Sequence, residues 1–332
     1  MIGLLWEPDI PPLPEFLTLV GIGKLLDPAD IRPDIFLPSI EAWYQRDQQL
    51  PGDVIQPFTP AFGIPWVEAI AGCAVAAHPG SFWAQPCLAD YADRAPIQFD
   101  PQNPWMSKLI EFTQTLVTFS RGRFAIALPQ MRGPLDTLAA MRTPQQMGLD
   151  LIEQPEQVRK VLAELAEVWI KIAETVLAHI PPFHGGYCSR MKMWAPDQTI
   201  TPQNDISTLI SPRMYRDFVL PLDEKIIAHF PYHCFHTHGS EYRQIDNLLR
   251  VERLTAIQFT LEHTMGGPAL DVSLAAVRRI LETKPVIVAA LDVESAERCV
   301  NELPAAGLCV TLATNATEIP SEYVRWIEAH CA

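Results

Sequence analysis

The chain has 332 residues, 48% hydrophobic and 19% charged, which is enough apolar side chain for a large α/β domain and too much for a disordered chain. A formal net charge of −14 argues against a nucleic-acid groove or an anionic membrane surface as the main partner. The seven cysteines form no CxxC pair, no disulfide framework is expected at this size, and no apolar run is long enough to span a bilayer. A cytoplasmic protein without a signal peptide is therefore expected.

The 31 prolines crowd the first part of the chain, so a Pro-rich irregular segment is expected over about residues 1–100 of a single domain spanning 1–332. Within it the spacing predicts helices near Glu15 to Leu26 and Ile40 to Gln48. It also predicts a strand at Val54 to Phe58 and a helix at Pro65 to Ala71. Trp66, Trp83 and Trp105 lie close to prolines as core or wall residues. Beyond residue 105 the periodicity is clearer. Helix Ser107 to Phe119 precedes a short buried strand, Arg123 to Leu128, then a loop carrying Arg132 and a helix opened by Asp136. A long helix follows from Pro155 to Ala178, a strand from Tyr187 to Trp194, and a helix capped by Ser211-Pro212 that runs to His229.

The last hundred residues repeat one pattern. Strands at 232–238, Leu254 to Phe259, Pro285 to Leu291 and Gly307 to Leu312 each precede a helix: near 240–250, 270–283, Glu294 to Leu303 and Pro320 to Ala329. Such units imply parallel pairing with helical crossovers. With the earlier strands the pattern is best fitted by a (β/α)8 TIM barrel; an open doubly wound sheet is the alternative. No GxGxxG or Walker-type loop occurs, so no nucleotide cofactor is expected.

Five of the nine histidines lie between His229 and His263. On a strand that ends at Gly239, Cys234, His236 and His238 share one face, and the two imidazoles sit roughly 6–7 Å apart along it, close enough to converge on one ion or anionic ligand. In a barrel, ligand groups come from the C-terminal ends of strands. That rule selects Arg132 and Asp136, then Trp194, Asp197, Asn204 and Asp205, then His236 and His238, then Gln258, Glu262 and His263, then Asp292, Thr314 and Asn315. Asp292 ahead of Glu294 also reads as a helix cap. Gln258 in an apolar strand must find polar partners, and His233 packs on the opposite face.

The segment 206–221, with its Ser211-Pro212, Tyr215, Phe218 and Pro221, resembles a helix of the uroporphyrinogen decarboxylase superfamily. His236-Thr237-His238-Gly239 falls where members carry His-x-Cys-Gly or His-x-Asp-Gly. Asn103-Pro104-Trp105, Met131 to Asp136 and Thr255 to Gln258 fit an uncharacterised branch of it, near the corrinoid-dependent methyltransferases. The likeness covers about residues 100–330. It implies a (β/α)8 barrel with a cleft at its C-terminal mouth, and one of two chemistries: cofactor-free decarboxylation of a porphyrinogen, or methyl transfer between a corrinoid protein and a thiol on zinc. The sequence lacks the Arg-Gln-Ala-Gly-Arg motif of the decarboxylases. His238 stands where the zinc enzymes carry Cys, and the loop 313–317 has no Cys.

The resemblance thus implies methyl transfer linked to a corrinoid protein. His236 and His238 bind zinc or another metal, with Glu262, Asp205 or Cys234 as the third ligand. Arg132, Trp194, Trp105, Gln258 and Asn204 hold substrate, and Asp205, Asp136 and Glu262 are catalytic. The alternatives are decarboxylation of a porphyrinogen or smaller carboxylated substrate, and tetrapyrrole or corrinoid binding without catalysis. Expected partners are a small-molecule or tetrapyrrole substrate, a corrinoid protein and a second copy of the chain in a homodimer.

Overall fold

The computed structural model describes residues 1–6, 20–50, 52–60, 63–79, 81–92, 94–314 and 320–331, with backbone alone at 3–6, 313 and 314. In chain order the strands are β1 (Ile2–Trp6), β2 (Val75–His78), β3 (Ser81–Ala84), β4 (Tyr187–Cys188), β5 (Trp194–Ala195), β6 (Thr199–Ile200), β7 (Tyr232–His238), β8 (Ala256–Thr260), β9 (Val286–Ala290) and β10 (Leu308–Thr314). Six of them form one parallel sheet in the order β1-β10-β9-β8-β7-β6; β2-β3 and β4-β5 are antiparallel hairpins. The molecule is thus a mixed α/β fold. β8, β9 and β10 are mostly apolar runs, as strands covered on both faces require, whereas β7 (YHCFHTH) buries residues 233–237 in spite of its histidines.

The helices are α1 (Pro33–Asp47), α2 (Trp66–Ile70), α3 (Pro104–Ser120), α4 (Pro134–Arg142), α5 (Pro144–Glu153), α6 (Pro155–Leu177), α7 (Pro212–Met214), α8 (Leu220–His229), α9 (Ile245–Leu248), α10 (Leu270–Leu281), α11 (Val293–Glu302) and α12 (Ser321–His330). Proline at N1 opens six of these, α1 and α3 through α7, because its fixed φ suits a first turn whose N–H has no intrahelical partner. Between α7 and α8 a π-turn spans Tyr215–Val219. Pro221 cannot donate back to the Asp217 carbonyl, and Arg159 Nη1 donates to that carbonyl instead.

Four expectations change. The strands at Val54 to Phe58 and Arg123 to Leu128 are reduced to one parallel bridge, Phe58 with Ile126. Pro57, Pro60 and Pro129 withhold the donors a longer ladder needs. The strand at Tyr187 to Trp194 is instead the β4–β5 hairpin, because the chain turns back through Lys192 at φ 66°. β1 and β6 were not anticipated. β1 is an apolar run just ahead of the proline cluster, and β6 is two residues between Pro196 and Pro202. The helix expected at Glu15 to Leu26 lies mostly outside the described residues; at its end Leu25 bridges Ala76.

Two large apolar clusters fill the interior. One joins β7–β10 to α4, α5 and the C-terminal helices. The other joins α1, α2, α3 and the second half of α6. α6 reaches both, with Val158, Val161, Leu162 and Leu165 in the first and Trp169, Ile172 and Val176 in the second. Among the described residues no helix is long and apolar enough to cross a membrane.

Candidate functional site

The parallel register sets His236 beside Gln258 and His238 beside Thr260, so these side chains share one face at the C-terminal ends of β7 and β8. Gln258 Nε2 donates to Thr260 Oγ1 at 3.0 Å, which turns Gln258 Oε1 toward His236 to accept its Nδ1–H. His238 Nδ1–H donates to Glu262 Oε1 at 2.7 Å, and Glu262 Oε2 accepts the Ser240 N–H at 3.1 Å. With both Nδ1 protons so committed, each imidazole presents an Nε2 lone pair when neutral; when His238 is protonated, its Nε2–H instead points at the His236 lone pair. These two Nε2 atoms face one another at 3.1 Å. Two lone pairs at that distance repel unless a proton or a cation is shared between them.

A third group faces the same point. Asp205 Oδ1 lies 3.8 Å from His238 Nε2 and, although shielded from solvent, has no hydrogen-bond partner. One ligand atom from each of Asp205, His236 and His238 lies within 4.8 Å of the others. The turn at 205–209 that carries Asp205 is fastened on both sides. Asp136, at the start of α4, accepts the N–H groups of Asp205 and Ile206 at 3.1 and 2.8 Å. Glu241 accepts the Ser207 hydroxyl at 2.6 Å and the His238 N–H at 2.8 Å, joining that turn to the end of β7. Gln203 Nε2 holds Asp205 Oδ2 at 2.9 Å.

The electrostatics follow from crowding carboxyl groups in a poorly solvated space. Burial, and then the charge of Asp205, push Asp136 up to about 8. The same two causes push Glu241 up to about 8. Burial also raises Asp205, against the nearby His238, Arg190 and Arg132. Burial, His238 and Arg190 hold His236 well below the ordinary imidazole range. Burial opposes charge on His238 too, but the Glu262 bond and the fields of Asp205 and Glu241 outweigh it and hold it up to about 9.

A cleft of about 390 Å³ opens beside this cluster, lined by Trp83, Arg132, Asp136, Ala140, Asp205 and Ile206 among others. Arg132 Nη1 is 3.4 Å from Glu68 Oε1, a fully buried carboxylate on α2. Trp83, 59% exposed, stacks on His78 with ring centroids 4.8 Å apart.

The structure brings together Asp205, His236, His238, Gln258, Glu262, Asp136 and Arg132. It separates others. Trp105, expected at the cleft, is buried in the core edge-to-face with Trp66. As the residue after Pro104, it sits on the helix face that meets α2. Asn204, expected to hold substrate, is interior: its Oδ1 accepts the Leu135 N–H at 3.1 Å and its Nδ2 donates to Asp223 Oδ1 at 2.9 Å. Trp194 packs over Gly186 in the β4–β5 hairpin and donates to Phe183 O; it does not line the cleft. Cys234 is buried beside Met191 and Cys309 and is not part of the cluster of ligand atoms from Asp205, His236 and His238. Asp292 caps α11, accepting the Ser295 N–H at 2.7 Å, and sits 3.5 Å from His263. The side chain of Thr314 and all of Asn315 lie outside the described residues.

Glu241, Gln203 and Glu68 were not among the candidates. Glu241 had a signal, a carboxylate in the first turn after a strand that ends in His-Gly. Trp83, expected only as a core or wall residue near a proline, is brought to the cleft by the hairpin turn.

No family model matches the chain, and no curated protein matches it. Among solved structures, it is similar to a methyltransferase from Methanosarcina mazei. The TM-score is 0.64 at 11% sequence identity, over 99% of this chain and 92% of that one. At that identity the likeness is one of fold.

Proposed function

We propose that the chain is an enzyme of the uroporphyrinogen decarboxylase superfamily. In it Asp205, His236 and His238 hold a divalent metal, most simply zinc, for methyl transfer linked to a corrinoid protein. The observation that carries this reading is the pair of Nε2 atoms facing each other at 3.1 Å, with both Nδ1 protons already donated and an unpartnered Asp205 oxygen beside them. Imidazoles whose outer N–H is given to a carboxylate or carbonyl are the usual form of metal-binding histidine. Two histidines and one carboxylate are a recurrent catalytic donor set that leaves a position open. The donors therefore fit the group, although the Cys ligands of the zinc methyltransferases are replaced. Closure of the sheet into a (β/α)8 barrel belongs to the same proposal. It is supported by the Asp53 N–H bond to Ile2 O and by the two bonds between Phe58 and residues 125 and 127, each 2.9 Å.

A zinc ion held by Asp205, His236 and His238 would supply the Lewis acidity that lowers the pKa of a thiol. The chain's own residues have separate tasks. Gln258 and Glu262 set the two ring orientations, while Asp136, Gln203 and Glu241 hold Asp205 in place. Arg132, steadied by Glu68, presents the cation of the cleft to an anionic part of the substrate, and Trp83 forms a wall. A cleft of about 390 Å³ is near the low end of ligand sites, roughly 300–1,000 Å³. It suits a small acceptor better than a tetrapyrrole. Decarboxylation of a porphyrinogen would need several cations for its carboxylates, and Arg132 is the one cation among the described residues lining the cleft.

Metal analysis of the purified full chain tests the site. About one ion per chain is expected, lost in the His236→Ala/His238→Ala double variant; metal-free, fully folded wild type would falsify the metal reading. The methyl-transfer step is read from the absorbance change of methylcobalamin incubated with protein and a small thiol. No change with the metal-loaded chain would remove methyl transfer and leave the site.

A further inference from the structure

Cys73 and Cys87 stand at the two feet of the β2–β3 hairpin. Cys73 N–H donates to Glu68 O at 2.9 Å, in α2, and Cys87 N–H donates to Met141 O at 3.0 Å, in α4. Between them and the hairpin lies one further bond, Gln85 N–H to Ala74 O at 2.7 Å. Their sulfur atoms are 3.3 Å apart. Cys73 is 3% exposed, whereas Cys87 is open to solvent. The hairpin whose neck they flank carries Trp83 and Ala84 to the cleft wall. The proposed chemistry uses neither sulfur.

We propose that Cys73 and Cys87 form a redox-active dithiol that closes a disulfide across the neck of the hairpin on meeting a low-molecular-weight disulfide. A disulfide bond is about 2.05 Å long, so the sulfurs need approach by little more than 1 Å between backbone segments already hydrogen-bonded in place. Exposure assigns the roles. Cys87 meets the oxidant; its thiolate attacks one sulfur of the small disulfide and expels the other as a thiolate. Cys73, hidden from the oxidant, then attacks Cys87 Sγ and expels the second small thiolate, while its own proton passes to a released thiolate. Two protein thiols and one small disulfide become one protein disulfide and two small thiols, so the protein is oxidised and the small disulfide reduced. The hydrogen bond between the two sulfurs lowers Cys87 toward the thiolate and raises Cys73, consistent with this order. The new bond pins both feet of the hairpin and with them the position of Trp83.

The test uses the reduced, native full chain treated with glutathione disulfide, then alkylated with iodoacetamide, digested and mapped by mass spectrometry. The expected product is a Cys73–Cys87 linked peptide pair, lighter by two hydrogens than the free thiols, with Cys188, Cys234, Cys299 and Cys309 alkylated only after unfolding. Cys73→Ser should trap glutathione on Cys87, and Cys87→Ser should leave Cys73 unmodified. Full alkylation of both thiols, a lasting glutathione adduct on wild-type Cys87, or a link from either to another cysteine overturns the proposal. Because Cys87 is exposed, its serine variant keeps the test decisive if Cys73→Ser fails to fold.

Discussion

At the residue scale, the site turns on which ring nitrogen of each histidine is already occupied. Glu262 and Gln258 determine that, and neither reaches the point where the two Nε2 atoms meet. Glu262→Gln should therefore keep the fold and weaken zinc binding about 10–100-fold, measured by competition with a chromophoric chelator; unchanged affinity would leave Glu262 without this role. A separate prediction concerns Asp223, buried beneath the 205–209 turn. It accepts from Asn204 and from the Tyr215 hydroxyl, and burial pushes it up to about 7. In the unfolded chain its pKa is about 3.9. Below about pH 4 both states hold the proton. Between about 4 and 7 only the folded state does, so stability falls as pH rises through that window and levels off above it. The slope is on the order of one kcal/mol per pH unit. Asp223→Asn should make the denaturation midpoint shallower with pH across that range; an unchanged profile would show that Asp223 does not titrate there.

At the element scale, the approach of α4 to the end of β6 places Asp205. Gly133 precedes α4 with an ordinary backbone (φ −72°), so its need for glycine is one of space. A Cβ there would lie 2.0 Å from Gln203 O and 2.4 Å from Asn204 Oδ1. Gly133→Ala should cost about 1–3 kcal/mol by overpacking and should also reduce metal binding, because the strain falls on the two residues before Asp205. Denaturant melts read the first effect and metal titration the second. An alanine variant equal to wild type in both would mean that the segment relaxes freely. A second tie within these elements is the pair Arg142–Asp150, nearly inaccessible to solvent, with Nε–Oδ2 at 2.7 Å. Tyr91 OH also donates to Asp150 at 2.7 Å, and Arg142 donates to Leu88 O. Together they bind the loop after β3 to α4 and α5, and no local periodicity in the sequence marked them.

At the scale of the whole molecule, β1 matters more than its five residues suggest. It pairs along its length with β10, more than 300 residues later, and covers what would otherwise be an open strand edge. Deleting Ile2–Trp6 should lower the thermal midpoint and increase aggregation relative to the full chain, read by calorimetry and light scattering. A deletion variant as soluble and stable as the parent would make the β1–β10 pairing dispensable. The two interior clusters meet through α6, so the sheet and the N-terminal helices pack against one shared element.

The sequence by itself determined the parts whose signal is local. The C-terminal strand-and-helix repeat, the proline-opened helices, the Ser211 and Asp292 caps and the shared face of His236 and His238 all follow from the period of side chains along a strand or helix and from backbone chemistry within a few residues. Gln258 could be singled out as an amide in an apolar strand, but its partner could not. Only the tertiary structure decided that Gln258 and Glu262 hold the histidines while Asp205 faces them, that Trp83 rather than Trp105 reaches the cleft, and that β1 lies beside β10. Each of these depends on register and packing between segments far apart in the chain, where hydrogen-bond geometry and excluded volume choose among partners that the local pattern leaves equivalent.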